Sequence, residues 1–80
     1  MHVILDAREM GEKEKAHEYL KRIFAFPDYY GNNLDALYDC LSEMSGLQIH
    51  LLHAEEADGY FEKVLSVFQD LEDAEVHFIS

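Results

Sequence analysis

The stretch LQIHLLHAEEADGYFEKVLSVFQDLEDAEVHFI, residues 47–79, decides the fold class of this chain. Apolar runs at 47–52 and 76–79 are typical of strands. Between them, apolar residues recur at three- and four-residue steps, which predicts an amphipathic helix that Asp58 can cap. These residues are Phe61, Val64, Leu65, Phe68 and Leu71. A strand, a helix and a strand in succession favour a right-handed crossover and hence a parallel sheet.

The segment before this unit adds one more strand and a helix. The apolar run HVILD, residues 2–6, predicts a buried strand. Apolar and charged residues then separate onto two faces over 13–25, which predicts a second amphipathic helix. Pro27 disfavours helical geometry at the residue before it and helps to end this helix.

A loop that turns into a third helix follows at residues 28–43, DYYGNNLDALYDCLSE. Asn32 or Asn33 can cap that helix, and Gly46 can end it. Its apolar stripe consists of Leu34, Leu37, Leu41 and Met44. The element order therefore predicts one α/β domain over residues 1–80. We expect a small two-layer domain, with a three-stranded parallel sheet packed against three to four helices.

The charge of the chain restricts its partners. Its 80 residues carry a formal net charge of −11, yet 49% of them are hydrophobic, which favours a folded domain over a disordered acidic tail. Such an excess of anions repels nucleic-acid phosphates and anionic membranes, so cationic proteins are the expected partners. A lone Cys40, no signal peptide and no long apolar run lead us to expect a cytoplasmic protein.

The residues that suggest a binding surface lie in segment 28–43, in its helix and in the loop before that helix. Asp35 and Asp39 are four positions apart and project from one side of the helix. Tyr29, Tyr30 and Tyr38 place large flat groups near this pair, and aromatic groups beside acids suit a protein contact surface. A solvated acidic helix face explains the same spacing equally well.

The run Pro27–Leu41, PDYYGNNLDALYDCL, closely resembles the signature of the barstar family, intracellular inhibitors of secreted ribonucleases. The resemblance implies a parallel three-stranded α/β fold and inhibition of a basic, barnase-like ribonuclease. It implies that Asp39 takes the place of a substrate phosphate, that Asp35 pairs with a second basic group, and that Tyr29 stacks on the catalytic histidine. The full set of partner-binding residues that it implies is Tyr29, Tyr30, Gly31, Asn33, Leu34, Asp35, Tyr38, Asp39, Ser42 and Asp70.

Other functions fit parts of the sequence. The same fold could bind a different cationic partner, such as a toxin without nuclease activity or a regulatory protein. Asp35 and Asp39 could form a catalytic acid–base pair, although a convex helix offers little cleft and we expect no enzyme. His50, His53 and Glu55 resemble metal ligands only faintly, because strand residues three apart point to opposite faces. We expect no metal, no cofactor and a monomer when the protein is free.

Overall fold

A computed structural model describes residues 1–79 and shows a three-stranded sheet with three α-helices. The strands are β1 (His2–Asp6), β2 (Leu47–Leu52) and β3 (Ala74–Ile79). The helices are α1 (Lys13–Phe24), α2 (Leu34–Ser42) and α3 (Tyr60–Asp70). Short 3-10 turns at Ala7–Met10 and Ala54–Glu56 follow β1 and β2. The predicted element order is confirmed, and Ser80 lies outside the described residues.

The sheet is parallel and has the order β1-β2-β3, as the crossover argument predicts. Ile49 in the central strand pairs with Val3 on one side and Val76 on the other. Val3 and Leu5 are buried, whereas Ile4 between them is 61% exposed. All three helices therefore pack on one face of the sheet and leave the other face at the surface.

One hydrophobic core joins that covered face to the helices. Its strand side is formed mainly by Leu5, Leu47, Ile49 and Leu51, all fully buried. Each helix contributes the apolar stripe that its sequence predicts. The buried members of these stripes include Ala16, Leu20, Leu37, Leu41, Phe61, Val64 and Phe68. The predicted two-layer α/β class is confirmed, and within residues 1–79 no helix is long and apolar enough to cross a membrane.

The end of α1 differs from the prediction by one residue. Ala25 lies outside the helix in the left-handed region, with φ of 54°. Its N–H donates to the Arg22 carbonyl, and the N–H of Phe26 donates to the Lys21 carbonyl. This pair of bonds closes the helix at Phe24, three residues before Pro27, so a left-handed cap ends α1 and the proline only follows it.

The prediction that Asp58 caps α3 is wrong. Gly59 occupies the cap position with φ of 64° and supplies no side-chain hydrogen bond. The Gly11 carbonyl accepts instead from the Tyr60 N–H at 3.1 Å. A Cβ on Gly59 would lie 2.9 Å from that same oxygen, so only glycine fits there. A distant backbone group, which local sequence does not reveal, satisfies the start of the helix.

Two further element boundaries, the end of α2 and the start of β3, also differ from the prediction. Gly46 does not end α2, which stops at Ser42 with Glu43 as its C-cap. Gly46 instead has φ of 63° in the turn into β2, where its N–H donates to the Asp73 carboxylate at 2.9 Å. Strand β3 begins at Ala74, two residues earlier than the apolar run predicts, because Leu47 pairs with Ala74 and extends the sheet.

Candidate partner-binding site

The start of α2 is held by a short network of hydrogen bonds around Asn33. Its side-chain oxygen accepts from the Ala36 N–H at 2.8 Å, which makes Asn33 the cap, and its side-chain nitrogen donates to the Gly31 carbonyl at 3.2 Å. A Cβ on Gly31 would lie 3.1 Å from that nitrogen. Glycine at 31 thus leaves room for the capping side chain, and the turn presents α2 in one defined orientation.

The loop between α1 and α2 is fixed to the core by aromatic side chains. Phe24, Phe26 and Tyr30 are all buried. The Phe24 and Phe26 rings stack with centroids 5.4 Å apart, and the Phe26 and Tyr30 rings lie 4.7 Å apart. Tyr29 lies between these buried residues and is 88% exposed. The loop therefore holds one aromatic ring out in solvent on a rigid base.

Tyr30 is placed differently from the other predicted contact residues. Only 6% of it is exposed, and its hydroxyl lies 2.7 Å from Nδ1 of the fully buried His17. The Tyr60 hydroxyl lies 2.7 Å from the other ring nitrogen, Nε2. Tyr30 thus links the loop to α1 and α3, and its ring is not part of the exposed surface.

Burial determines the ionisation of this tyrosine–histidine–tyrosine bridge. Loss of solvent lowers the pKa of His17 and, secondarily, so does the charge of Lys13. Burial also raises the pKa values of Tyr30 and Tyr60. A neutral imidazole between two neutral hydroxyls can donate one hydrogen bond and accept the other, so all polar atoms of the bridge are satisfied.

The two predicted acids of α2 are exposed and make no ion pair among the described residues. Asp35 and Asp39 are both exposed, one helical turn apart. Among residues 1–79, neither belongs to any ion pair. Lys13 and Lys63 line an open depression together with Asp35, but they stay outside ion-pair distance. The carboxylates are therefore neither turned inward nor neutralised within the described chain.

The remaining predicted residues surround these acids unevenly. Leu34 is half-buried against the core, and Tyr38 is 37% exposed. The Ser42 hydroxyl donates to the Asp39 carbonyl at 2.9 Å, so it bonds within the helix. Asp70 is exposed at the last residue of α3. The next residues of the chain, 71–73, share a groove with Tyr38 and Ser42, which brings this end of α3 beside the second half of α2.

Glu43 is not among the predicted partner-binding residues, yet it lies beside two of them. It is exposed and lines a groove of about 330 Å³ that it shares with Tyr29 and Asp39. The signal was available, because Glu43 follows Asp39 by four positions and so continues the same side of the helix. The third acid lies within the candidate binding surface because the loop before α2 folds back beside the end of that helix.

The histidines that resemble metal ligands are not brought together. His50 stacks between His2 and His77 on the uncovered sheet face, with centroids 5.4 and 4.9 Å apart. His53 lies past the end of β2 with Nδ1 3.4 Å from an Asp6 carboxylate oxygen. Within residues 1–79, no group of three or more histidine, cysteine or acidic side chains has an arrangement that could hold a metal ion.

Comparisons with known proteins identify relatives of this chain. The family model described as "Barstar (barnase inhibitor)" matches residues 1–79. The chain is 46% identical over 50 residues to a protein of Bacillus subtilis (strain 168) named "Putative ribonuclease inhibitor YrdF". That alignment covers 62% of this chain and 55% of the relative, so the chain spans about half the length of this relative. Since the family model covers nearly every residue, the chain belongs to the barstar family.

Proposed function

We propose that this chain inhibits a basic ribonuclease by occupying the enzyme's active site with α2 and the Tyr29–Asn33 loop. Membership of a family described by barnase inhibition supports the proposal, as does a relative named as a ribonuclease inhibitor. The observation that carries it is the state of Asp35 and Asp39. Both are exposed, and neither has a cationic partner within the described residues.

Asp39 takes the place of a substrate phosphate in this mechanism. A ribonuclease must hold a phosphodiester with fixed cations in a cleft that is poor in water. A carboxylate that enters this cleft meets cations that are already oriented, so the new ion pair can be net favourable. Asp35 pairs with a second basic group of the enzyme, and the exposed ring of Tyr29 stacks on its catalytic histidine.

Rigidity of the loop and of α2 lowers the entropic cost of this docking. The Asn33 cap fixes the start of the helix, and the buried rings of Phe26 and Tyr30 fix the loop before binding occurs. Few rotamers then remain to be ordered in the complex. Around this centre, Leu34, Tyr38, Ser42 and Asp70 form the rim of the proposed interface.

A different cationic partner is the second candidate, favoured by the same free carboxylates. A toxin or regulatory protein without nuclease activity would also be attracted to them. A catalytic role for Asp35 and Asp39 fits less well, because both acids lie on an exposed helix face.

Capture from the organism that encodes the chain tests the proposal. The wild-type chain and an Asp39→Ala variant are immobilised, exposed to the secreted proteins of that organism, and eluted. Eluates are assayed for RNA hydrolysis after separation in an RNA-containing gel. We expect a small basic ribonuclease to be retained by the wild type and lost with Asp39→Ala. A retained basic protein without RNA hydrolysis would identify the second candidate, and retention that Asp39→Ala leaves unchanged would contradict the proposed mechanism.

A further inference from the structure

A groove between the loop and the end of α2, which we call the loop–helix groove, extends the binding surface beyond the two predicted acids. Its volume is about 330 Å³. One wall is formed by the end of α1 and the loop, the other by the second half of α2. Its lining residues other than Tyr29, Asp39 and Glu43 are Phe24, Ala25, Phe26, Pro27, Cys40 and Met44.

Every charged residue of this lining is an acid. Asp39 and Glu43 lie one turn apart on the α2 wall, at a spacing where like charges destabilise a helix. No ion pair among residues 1–79 involves either of them. Lys21, near the end of α1, lies beside Asp28 instead, at 4.0 Å. Repulsion between the acids is therefore left uncompensated in the free protein.

The groove fits a group with an apolar stem and a cationic tip. Its floor and walls are mainly apolar, which suits the methylene chain of a basic side chain. The exposed Tyr29 ring forms one rim of the groove. Arginine matches better than lysine, because the guanidinium is weakly hydrated and can bind the Glu43 carboxylate through two parallel N–H groups.

We propose that the loop–helix groove receives an arginine side chain of the partner and that Glu43 selects for partners that carry it. This inference rests on the proposed function, because it assigns a second basic contact to the same enzyme. Asp39 pairs with the cations of the enzyme's active site, whereas Glu43 pairs with an arginine that lies outside that site. A ribonuclease that lacks an arginine at this place meets an unpaired carboxylate and binds more weakly.

A small-molecule titration tests the groove without any nuclease. N-acetyl-arginine amide is added to the ¹⁵N-labelled chain, and amide shifts are followed by NMR. The uncharged N-acetyl-citrulline amide, which has nearly the same shape, serves as the ligand control. We expect saturable shifts at residues 24–29 and 39–44 with the arginine compound, and much smaller ones with citrulline. Glu43→Gln should weaken arginine binding by about three- to fivefold.

Glu75→Gln is the matched protein control, because it also removes one negative charge but lies in β3 outside the groove. It should leave the arginine affinity unchanged. Equal responses to arginine and citrulline, or equal effects of the two variants, would overturn the groove assignment. Binding of the Asp39→Ala and Glu43→Gln variants to the captured ribonuclease distinguishes failure of the groove assignment from failure of the proposed inhibitor function. If Asp39→Ala abolishes its binding and Glu43→Gln does not weaken it, the groove assignment fails and the inhibitor function stands.

Discussion

At the scale of single residues, Asn33 determines how α2 begins. Its side-chain oxygen accepts from the free N–H of Ala36, and its side-chain nitrogen donates to the Gly31 carbonyl. No other described side chain caps this helix. The orientation of Asp35 and Asp39 therefore depends on one amide group.

We predict that Asn33→Ala lowers the free energy of unfolding by about 1 kcal/mol, because it removes the cap, whereas Asn33→Ser largely retains stability because serine also caps well. Urea denaturation followed by circular dichroism measures both variants. If alanine and serine have the same midpoint, the cap has no energetic role.

The backbone of Ala25 gives a second prediction at the residue scale. Its φ of 54° places an L-residue with a Cβ in the left-handed region. Ala25→Gly should raise the free energy of unfolding by about 0.5–1 kcal/mol. The opposite sign is expected for Ala36→Gly inside α2, where glycine costs about 1 kcal/mol. Thermal unfolding of the two variants compares them directly, and a destabilising Ala25→Gly would contradict the backbone assignment.

At the scale of elements, His17 connects α1 to the loop and to α3. It is fully buried between the hydroxyls of Tyr30 and Tyr60. Because the loop also carries Tyr29, this bridge ties the loop of the proposed binding surface to α1 and α3.

We predict that stability falls as the solution is made acidic through the range of this histidine. Burial lowers the pKa of His17 in the folded protein below its ordinary 6.5. The unfolded chain therefore binds more protons below that pH, so the contribution of His17 is complete above about 6.5 and is lost as the pH falls. Urea midpoints measured from pH 7.5 to 5 should fall more steeply for the wild type than for His17→Gln. Parallel profiles would exclude His17 as the source.

The helices and their caps also show which structural features can be predicted from local sequence. Local sequence narrows the cap of α2 to Asn32 or Asn33, and the structure selects Asn33. The apolar stripe of α2 is also a local pattern, so it could be predicted. The start of α3 could not, because the carbonyl that satisfies Tyr60 belongs to Gly11, far away in the chain. Burial of Tyr30 likewise depends on His17, and the role of Glu43 in the groove depends on how the loop folds back.

At the scale of the whole molecule, the net charge of −11 acts on every encounter with a partner. It attracts basic proteins over distances of about 10 Å at moderate salt, and it adds self-repulsion that the core must offset. The single core supports one domain, and the monomeric state of the free protein stays a prediction.

We predict that association with the captured ribonuclease slows by at least about tenfold between 0.02 and 0.5 M NaCl, while dissociation changes far less. Stopped-flow measurement of the association rate at a series of salt concentrations tests this. An association rate that is independent of salt would show that long-range charge does not guide the encounter.

The most direct test of the account is the affinity of the captured ribonuclease for Asp39→Asn, which removes the charge of the side chain and keeps its shape. Calorimetry should show at least about a hundredfold weaker binding, because the enzyme's cations are left buried and unpaired. Glu75→Gln, with the same change in net charge, should bind like the wild type. Equal affinities for Asp39→Asn and Glu75→Gln would contradict the claim that Asp39 occupies the phosphate site.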